Sequence, residues 1–365
     1  MNPRLQKLRN ILIEENLDAV FVSSLPNIIY FTNFSDFTTF DRDGFLLLTK
    51  KSQYIFTHGI YKEAVENQVK DFNIIDIKRE NPISKAVKTI IQKEKVKKLG
   101  FENFDLKVNE YERLIKEVDK NILKPTNLVQ KLRIQKTPDE ILAIKKACIL
   151  GDKAFAYIIT QLKPGITELE LAVAFEFFVK SHGATLSFES IVAFGQNASK
   201  PHHVPTNTKL KRNQFVLFDC GIKQENYCSD MTRTVFFGTS SKKQKKDYEA
   251  VLTSQSKAVA LIEKNLIEKK QIKAKEIDAI ARDYLTQRDY PSMPHSLGHG
   301  IGLEVHEFPR LTPLSDEILK TGNVFSIEPG MYIPGKFGIR IEDLYAIEEN
   351  KLIKLTKAPN KFIEI

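Results

Sequence analysis

The chain has no stretch approaching the roughly 18 uncharged apolar residues that a membrane-spanning helix needs, so no helical span is expected. Its N-terminal segment, Met1 to Lys7 followed by Glu14, Glu15 and Asp18, keeps returning to charge and lacks the charged-then-apolar layout of a signal peptide. Cysteine is scarce: Cys148, Cys220 and Cys228 form neither an even-numbered framework nor a Cys-x-x-Cys pair, which excludes a disulfide scaffold. Together these absences predict a cytoplasmic, reducing location. There is no internal repeat and no low-complexity segment. The formal charge of +9 comes largely from lysine, in short runs such as Lys242-Lys243 with Lys245-Lys246 and Lys269-Lys270. These runs lie at helical spacing beside Glu and Asp, as solvated helix faces do, whereas nucleic-acid binders cluster Arg and Lys with aromatics; no nucleic-acid partner is expected.

The chain itself is ordinary globular material, 42% hydrophobic and 28% charged, and its 365 residues predict two domains, at 1–130 and 131–365. In the first, helical periodicity over 3–16 precedes a strand-like run Ala19-Val20-Phe21-Val22. Further strands are predicted at 44–48, 53–56, 73–77 and 98–101, with helices at 58–69 and 81–94. Strands alternating with helices predict a small α/β domain with a largely parallel or mixed sheet. The second domain opens on two capping signals: Thr137-Pro138-Asp139-Glu140 and Thr167-Glu168-Leu169-Glu170. These predict helices at 138–161 and 168–182, and two more are expected at 241–269 and 275–288.

Two hairpins carry the chemistry. The apolar run Phe215-Val216-Leu217-Phe218 ends in Asp219, and the return strand runs from Tyr227 through Asp230 to Phe237. A turn around Gln224 and Glu225 would set Asp219 directly opposite Asp230. Downstream, a hairpin centred on Gly335 would set Glu328 opposite Glu342. Opposed like charges in a half-buried sheet are destabilising unless one is protonated or a cation intervenes. One such pair could be an accident of register or a proton-sharing dyad; two pairs in one domain are better explained by metal. Four carboxylates carry a formal −4, which two divalent cations neutralise. Between the hairpins lies Pro294-His295-Ser296-Leu297-Gly298-His299-Gly300-Ile301-Gly302, with His306 close behind. Three histidines in a glycine-rich stretch, its glycines permitting unusual backbone angles and close packing, argue against isolated core or surface residues. Cys220 alternates away from Asp219 and reads as a core thiol.

These segments, in this order, resemble the pita-bread metallopeptidases of the Xaa-Pro aminopeptidase and prolidase branch. The motifs are Asp219-x-Gly221, Ser229-Asp230-Met231-Thr232-Arg233-Thr234, His295-x-x-Gly298-His299-Gly300-x-Gly302, Glu328-Pro329-Gly330 and Arg340-Ile341-Glu342-Asp343. The resemblance covers essentially the whole chain. It implies a creatinase-type N-terminal α/β domain followed by an α+β pita-bread catalytic domain. It further implies Asp219, Asp230, His299, Glu328 and Glu342 as ligands of two divalent metal ions. Manganese is the first expectation, and the hard oxygen donors with one imidazole also suit cobalt, zinc or iron. Catalytic roles fall to His202, His295, His306, Glu328 and Arg340. His202 is preferred over its neighbour His203 on the Pro-His order. His202, His306, Arg310 and Tyr332 are the substrate-binding candidates, and Arg310 is either a surface arginine or a clamp for a substrate carboxylate. The implied reaction is hydrolysis of the bond before proline in a peptide. An Xaa-Pro aminopeptidase is the first expectation, and the alternatives are an Xaa-Pro dipeptidase or a hydrolase of a non-peptide substrate. A homodimer is also implied.

Overall fold

The computed structural model describes residues 2–38 and 41–365, and these divide into two compact units, Met1–Arg133 and Ile134–Ile365. The first unit alternates helices and strands: α1 (Pro3–Glu14), β1 (Ala19–Val22), α2 (Leu25–Thr32), β2 (Gly44–Thr49), β3 (Gln53–His58) and α3 (Gly59–Gln68). It continues with β4 (Asn73–Ile77), α4 (Ile83–Lys93), β5 (Leu99–Phe101), α5 (Val108–Ile115) and β6 (Leu123–Pro125), and α6 (Leu128–Ile134) follows. The six strands form one mixed sheet, ordered β4-β3-β2-β1-β5-β6. β1 is buried at every position, which explains why it reads as a continuous apolar run and not as an alternating one. Leu5, Leu8 and Leu12 of α1 are buried at helical spacing, as are Ala86, Val87, Ile90 and Ile91 of α4. The helix α2 had no periodic signal, because Asn27 to Phe31 are all buried and a helix buried on every side shows no apolar stripe.

The second unit begins with α7 (Pro138–Thr160) and α8 (Glu168–Ser181). Both predicted capping boxes are formed. The Thr137 and Thr167 hydroxyls accept from the amides of Glu140 and Glu170, whose carboxylates accept from the two threonine amides in return. Next come β7 (Thr185–Leu186), β8 (Ile191–Phe194), β9 (Gln214–Cys220), β10 (Ile222–Gln224), β11 (Tyr227–Cys228) and β12 (Met231–Phe237). The helices α9 (Lys242–Ile267) and α10 (Ala274–Thr286) flank β13 (Ile272–Lys273). The remainder is β14 (Gly298–Gly300), β15 (Glu307–Leu311), β16 (Ile318–Leu319), β17 (Val324–Ile327), β18 (Gly330–Ile333), β19 (Phe337–Arg340), β20 (Asp343–Glu348) and β21 (Lys351–Lys354). The sheets that position the site are β12-β9-β8, β15-β14-β17-β20-β21 and the hairpin β18-β19. Among the described residues no helix is long and apolar enough to cross a membrane.

The first hairpin corrects the expected register. Asp219 pairs with Thr232 and Gln224 with Tyr227, so the turn is Glu225-Asn226 and lies one residue later than expected. Both turn residues have positive φ, 49° and 71°, as a two-residue hairpin turn of the right-handed-twist type demands. Asn226 tolerates that conformation, whereas a turn at Gln224-Glu225 would have no such residue. Asp230 therefore lies two residues from the position opposite Asp219. A shift of two preserves the face, so the two carboxylates still point to the same side. The second hairpin keeps the expected register on both sides of the acids. Ile327 pairs with Asp343 and Gly330 with Arg340, which brackets Glu328 against Glu342.

Candidate metal centre

The four acids and His299 converge from separate elements. Asp219 is the penultimate residue of β9, Asp230 precedes β12, Glu328 links β17 to β18 and Glu342 links β19 to β20, while His299 is the middle residue of β14. One donor atom each from Asp230, His299 and Glu342 lies within 4.8 Å of the others. His299 Nε2 is 3.2 Å from Glu328 Oε1 and 3.7 Å from Asp230 Oδ2. Its other ring nitrogen, Nδ1, donates to the Gly300 carbonyl at 3.1 Å, and since a carbonyl can only accept, Nδ1 carries the hydrogen. That fixes the ring so that Nε2 faces the acids, the orientation that a metal-binding imidazole adopts.

The glycines beside His299 serve packing alone. A Cβ on Gly298 would meet the Ser326 carbonyl oxygen at 2.0 Å, and one on Gly300 the Phe308 carbonyl oxygen at 2.1 Å. Neither has positive φ, so the expected unusual backbone angles are not what these glycines supply.

Electrostatics show why this cluster calls for cations. Burial, and then the neighbouring carboxylate charges, push the Asp230 and Glu342 carboxyls well above the ordinary range. Burial acts in the same direction on Glu328, but the hydrogen bond and charge of His299 prevail and bring it down to about 2. Three buried oxygens, Asp219 Oδ1, Asp230 Oδ1 and Glu342 Oε1, have no hydrogen-bond partner among the described residues. Uncompensated buried polar atoms are costly, and three on adjacent acids mark a place for positive charge. The carboxylates with one imidazole fit divalent first-row cations.

A ring of further side chains holds the acids. Arg340, 3% exposed, donates Nη2 to Asp219 Oδ2 at 2.6 Å, Nε to Thr232 Oγ1 at 3.0 Å and Nη1 to the Tyr332 hydroxyl at 2.7 Å. The Tyr332 hydroxyl in turn meets His295 Nε2 at 2.9 Å, and His295 Nδ1 donates to the Ser296 carbonyl. Burial lowers His295 from its ordinary value and raises the Tyr332 phenol to about 12, so both are neutral at neutral pH. His306 packs edge-on against His299, ring centres 4.4 Å apart; burial first, then His299 and Arg310, lower it to about 4.

A cavity of about 710 Å³ opens over the cluster, and its wall includes His202, Asp219, Asp230, His295, His299, His306, Arg310, Glu328, Arg340 and Glu342. Tyr332 is not on that wall. It was expected to bind substrate but is seated behind Arg340 and His295, where its hydroxyl joins the two. Arg310 sits opposite His299 across the β14–β15 pair and faces the cavity. His202 is exposed, whereas His203 is buried and its Nε2 meets Glu168 Oε2 at 2.8 Å.

Two supporting residues escaped the sequence reading. The Thr232 hydroxyl donates to Glu342 Oε2 at 2.7 Å, and the Ser326 hydroxyl donates to Glu328 Oε1 at 3.1 Å while accepting from the His299 amide. Strand alternation could have found both: Ser326 lies two residues from Glu328, and Thr232 two from Asp230.

Comparison with known proteins follows the same division of the chain. The sequence profile of metallopeptidase family M24 matches residues 143–349, and that of the creatinase/prolidase N-terminal domain matches residues 4–135. An Xaa-Pro dipeptidase of Pyrococcus horikoshii is 34% identical over 366 residues, covering 100% of this chain and 99% of the relative. Among solved structures, an Xaa-Pro dipeptidase from Bacillus anthracis superposes with a TM-score of 0.89 at 33% identity, covering 100% and 99% of the two chains. An X-Pro aminopeptidase from Thermotoga maritima gives 0.86 at 28% identity, covering 96% and 98%.

Proposed function

Because the chain belongs to metallopeptidase family M24, with a creatinase-type N-terminal domain ahead of a pita-bread catalytic domain, we propose that it is an Xaa-Pro dipeptidase, which splits a dipeptide into its first residue and proline. The observation that carries the reading is the cluster of four acids and His299 with three unpartnered buried oxygens, open to a cavity of dipeptide-accommodating size. Asp219, Asp230, His299, Glu328 and Glu342 would hold two divalent cations. When bound, these supply Lewis acidity and make water nucleophilic at neutral pH.

The protein's own groups supply the rest. Arg310 faces the cavity, its guanidinium in no ion pair with another described residue and able to pair with a carboxylate two-pronged, and in an Xaa-Pro dipeptide the proline carboxylate is within one residue of the bond to be cut. His306, held neutral by its lowered pKa, offers an N–H to the oxyanion that develops on the scissile carbonyl. Glu328 is ionised and can take the proton of the attacking water and pass it to the proline nitrogen as that bond breaks. His202, on the cavity wall, assists that transfer. Arg340 holds Asp219 and, through Tyr332, His295.

Two observations favour a dipeptidase over the aminopeptidase first expected: the placement of Arg310 on the cavity wall, and the dipeptidase names of the relatives from Pyrococcus horikoshii and Bacillus anthracis. The same reading carries a homodimer, measurable as two chains per particle in solution. Rates on matched Xaa-Pro and Xaa-Pro-Xaa peptides test the choice. A charged hydrogen bond of about 1.5–3 kcal/mol to the terminal carboxylate predicts a kcat/KM at least roughly tenfold higher for the dipeptide. Equal or faster cleavage of the longer peptide would return the reading to an aminopeptidase.

A further inference from the structure

We propose that the buried carboxylate of Glu168 is a positioning residue for His202, acting through its grip on the loop that carries that histidine. The inference rests on the proton-handling role given to His202 above. Glu168 is the first residue of α8 and has no solvent exposure. The capping box of that helix is completed by Thr167 and Glu170, so the helix start does not need the Glu168 side chain. All five of its hydrogen-bond donors come from one segment, residues 194–206. The Phe194 amide donates at 2.8 Å, Asn197 Nδ2 at 2.9 Å, the Thr206 amide at 3.0 Å and the Thr206 hydroxyl at 2.7 Å, while His203 Nε2 lies at 2.8 Å. The positive end of the α8 dipole makes this the favoured place for a buried carboxylate.

His202 lies inside that segment and is anchored on both sides. On one side the Pro201 carbonyl accepts from Arg340 Nη1 at 3.3 Å, so the loop is tied to the same guanidinium that holds Asp219. The stretch before it, Gly195–Ser199, presses on β19, where a Cβ on Gly338 would meet the Ala198 carbonyl oxygen at 1.8 Å. On the other side His203 is locked to Glu168. The His202 ring is exposed on the cavity wall and makes no hydrogen bond to another described residue. With no side-chain hydrogen bond of its own among the described residues, the ring stands where its backbone places it, and that backbone is tied by Arg340 at Pro201, by Glu168 at His203 and by the turn bond from the His203 amide to the Lys200 carbonyl.

A residue that merely stabilises the fold and one that positions His202 differ in a measurable way. If Glu168 acts through His202, its loss matters only while His202 is present. The test is a double-mutant cycle on the metal-loaded enzyme, with Glu168→Gln, His202→Ala and the pair combined, reading kcat, KM and bound metal well below the unfolding temperature. A displacement of about 1 Å in a catalytic group costs up to about a hundredfold, so Glu168→Gln should lower kcat by roughly ten- to a hundredfold with KM and metal content unchanged. Added to His202→Ala, it should cost less than about twofold further. His203→Ala should repeat the loss of Glu168→Gln, and His203→Gln, whose amide still donates to the carboxylate, should recover most of it. If Glu168→Gln does not fold, the His203 pair carries the same cycle. Equal losses with and without His202 would overturn the positioning role, as would an unchanged kcat in folded Glu168→Gln and His203→Ala. Full activity in His202→Ala would instead overturn the role of His202 and, with it, the inference that depends on it.

Discussion

Replacing Arg340 by methionine is the perturbation whose size the structure defines best. Methionine keeps a straight apolar stem of similar reach and removes only the guanidinium. Four hydrogen bonds go with it, to Asp219, Thr232, Tyr332 and the Pro201 carbonyl. The ion pair to Asp219 is buried at Arg340 and half-buried at Asp219, with side-chain exposures of 4% and 13%, so Asp219 is left a charge without its partner. Breaking a buried pair by removing one member costs about 3–5 kcal/mol. In a unit of more than 200 residues, each kcal/mol moves the midpoint by about 2–4 °C, so the chelated Arg340→Met variant should unfold about 6–20 °C below the chelated wild type. Cations bound beside Asp219 supply the missing positive charge, so the metal-loaded variant should lose less. Calorimetric scans of both proteins, with and without chelator, measure the two differences. A chelated variant unfolding within about 2 °C of wild type would refute the argument that Arg340 balances these acids. Lysine should not rescue it, because a single ammonium cannot reproduce the planar fork that reaches Asp219, Thr232 and Tyr332 together.

Three further outcomes are expected. Arg310→Ala should raise KM for Xaa-Pro dipeptides by roughly ten- to a hundredfold while changing hydrolysis of Xaa-Pro-Xaa far less; equal losses on both would remove the carboxylate clamp. Thr232→Val removes the hydroxyl shared by Glu342 and Arg340 and should weaken metal binding roughly tenfold by calorimetric titration, whereas an unchanged affinity would make Thr232 a packing residue only. In the N-terminal domain, burial raises Glu102 from an ordinary 4.5 to about 7. The folded form then holds a proton that the unfolded form has lost, so stability falls as pH rises from about 4.5 through 7, by of order 3 kcal/mol. Hydrogen exchange of the β1 and β5 amides should show that slope, and Glu102→Gln should flatten it; an identical slope in the variant would sink the assignment.

Local signals in the sequence led to the site, and long-range ones did not. The hairpin around Gly335 was legible because strand alternation and a clear turn agree, and both ladders beside Glu328 and Glu342 keep that register. The hairpin before it was misplaced by one residue at the turn, since Gln224, Glu225, Asn226 offer no glycine and only the left-handed tolerance of Asn226 settles the choice. An even shift in pairing rescued the face, which is why Asp219 and Asp230 still converge. Capping boxes announced α7 and α8, while α2 stayed silent because burial on all sides erases periodicity. The choice of His202 over His203 rested on the neighbouring proline; the physical distinction, that His203 is buried against Glu168, depends on a contact 35 residues away. The buried ion pair of Lys136 with Glu307, 171 residues apart, is likewise invisible to any local pattern.

The proposed function makes this site a metal-dependent peptidase centre acting before proline. Proline release from an Xaa-Pro dipeptide, followed through exhaustive chelation and then restoration of a divalent cation, tests it most directly. Release should stop on chelation and return with the cation, with two ions bound per chain at full rate. Release that continues undiminished after chelation, or none at all from the metal-loaded protein, would contradict it.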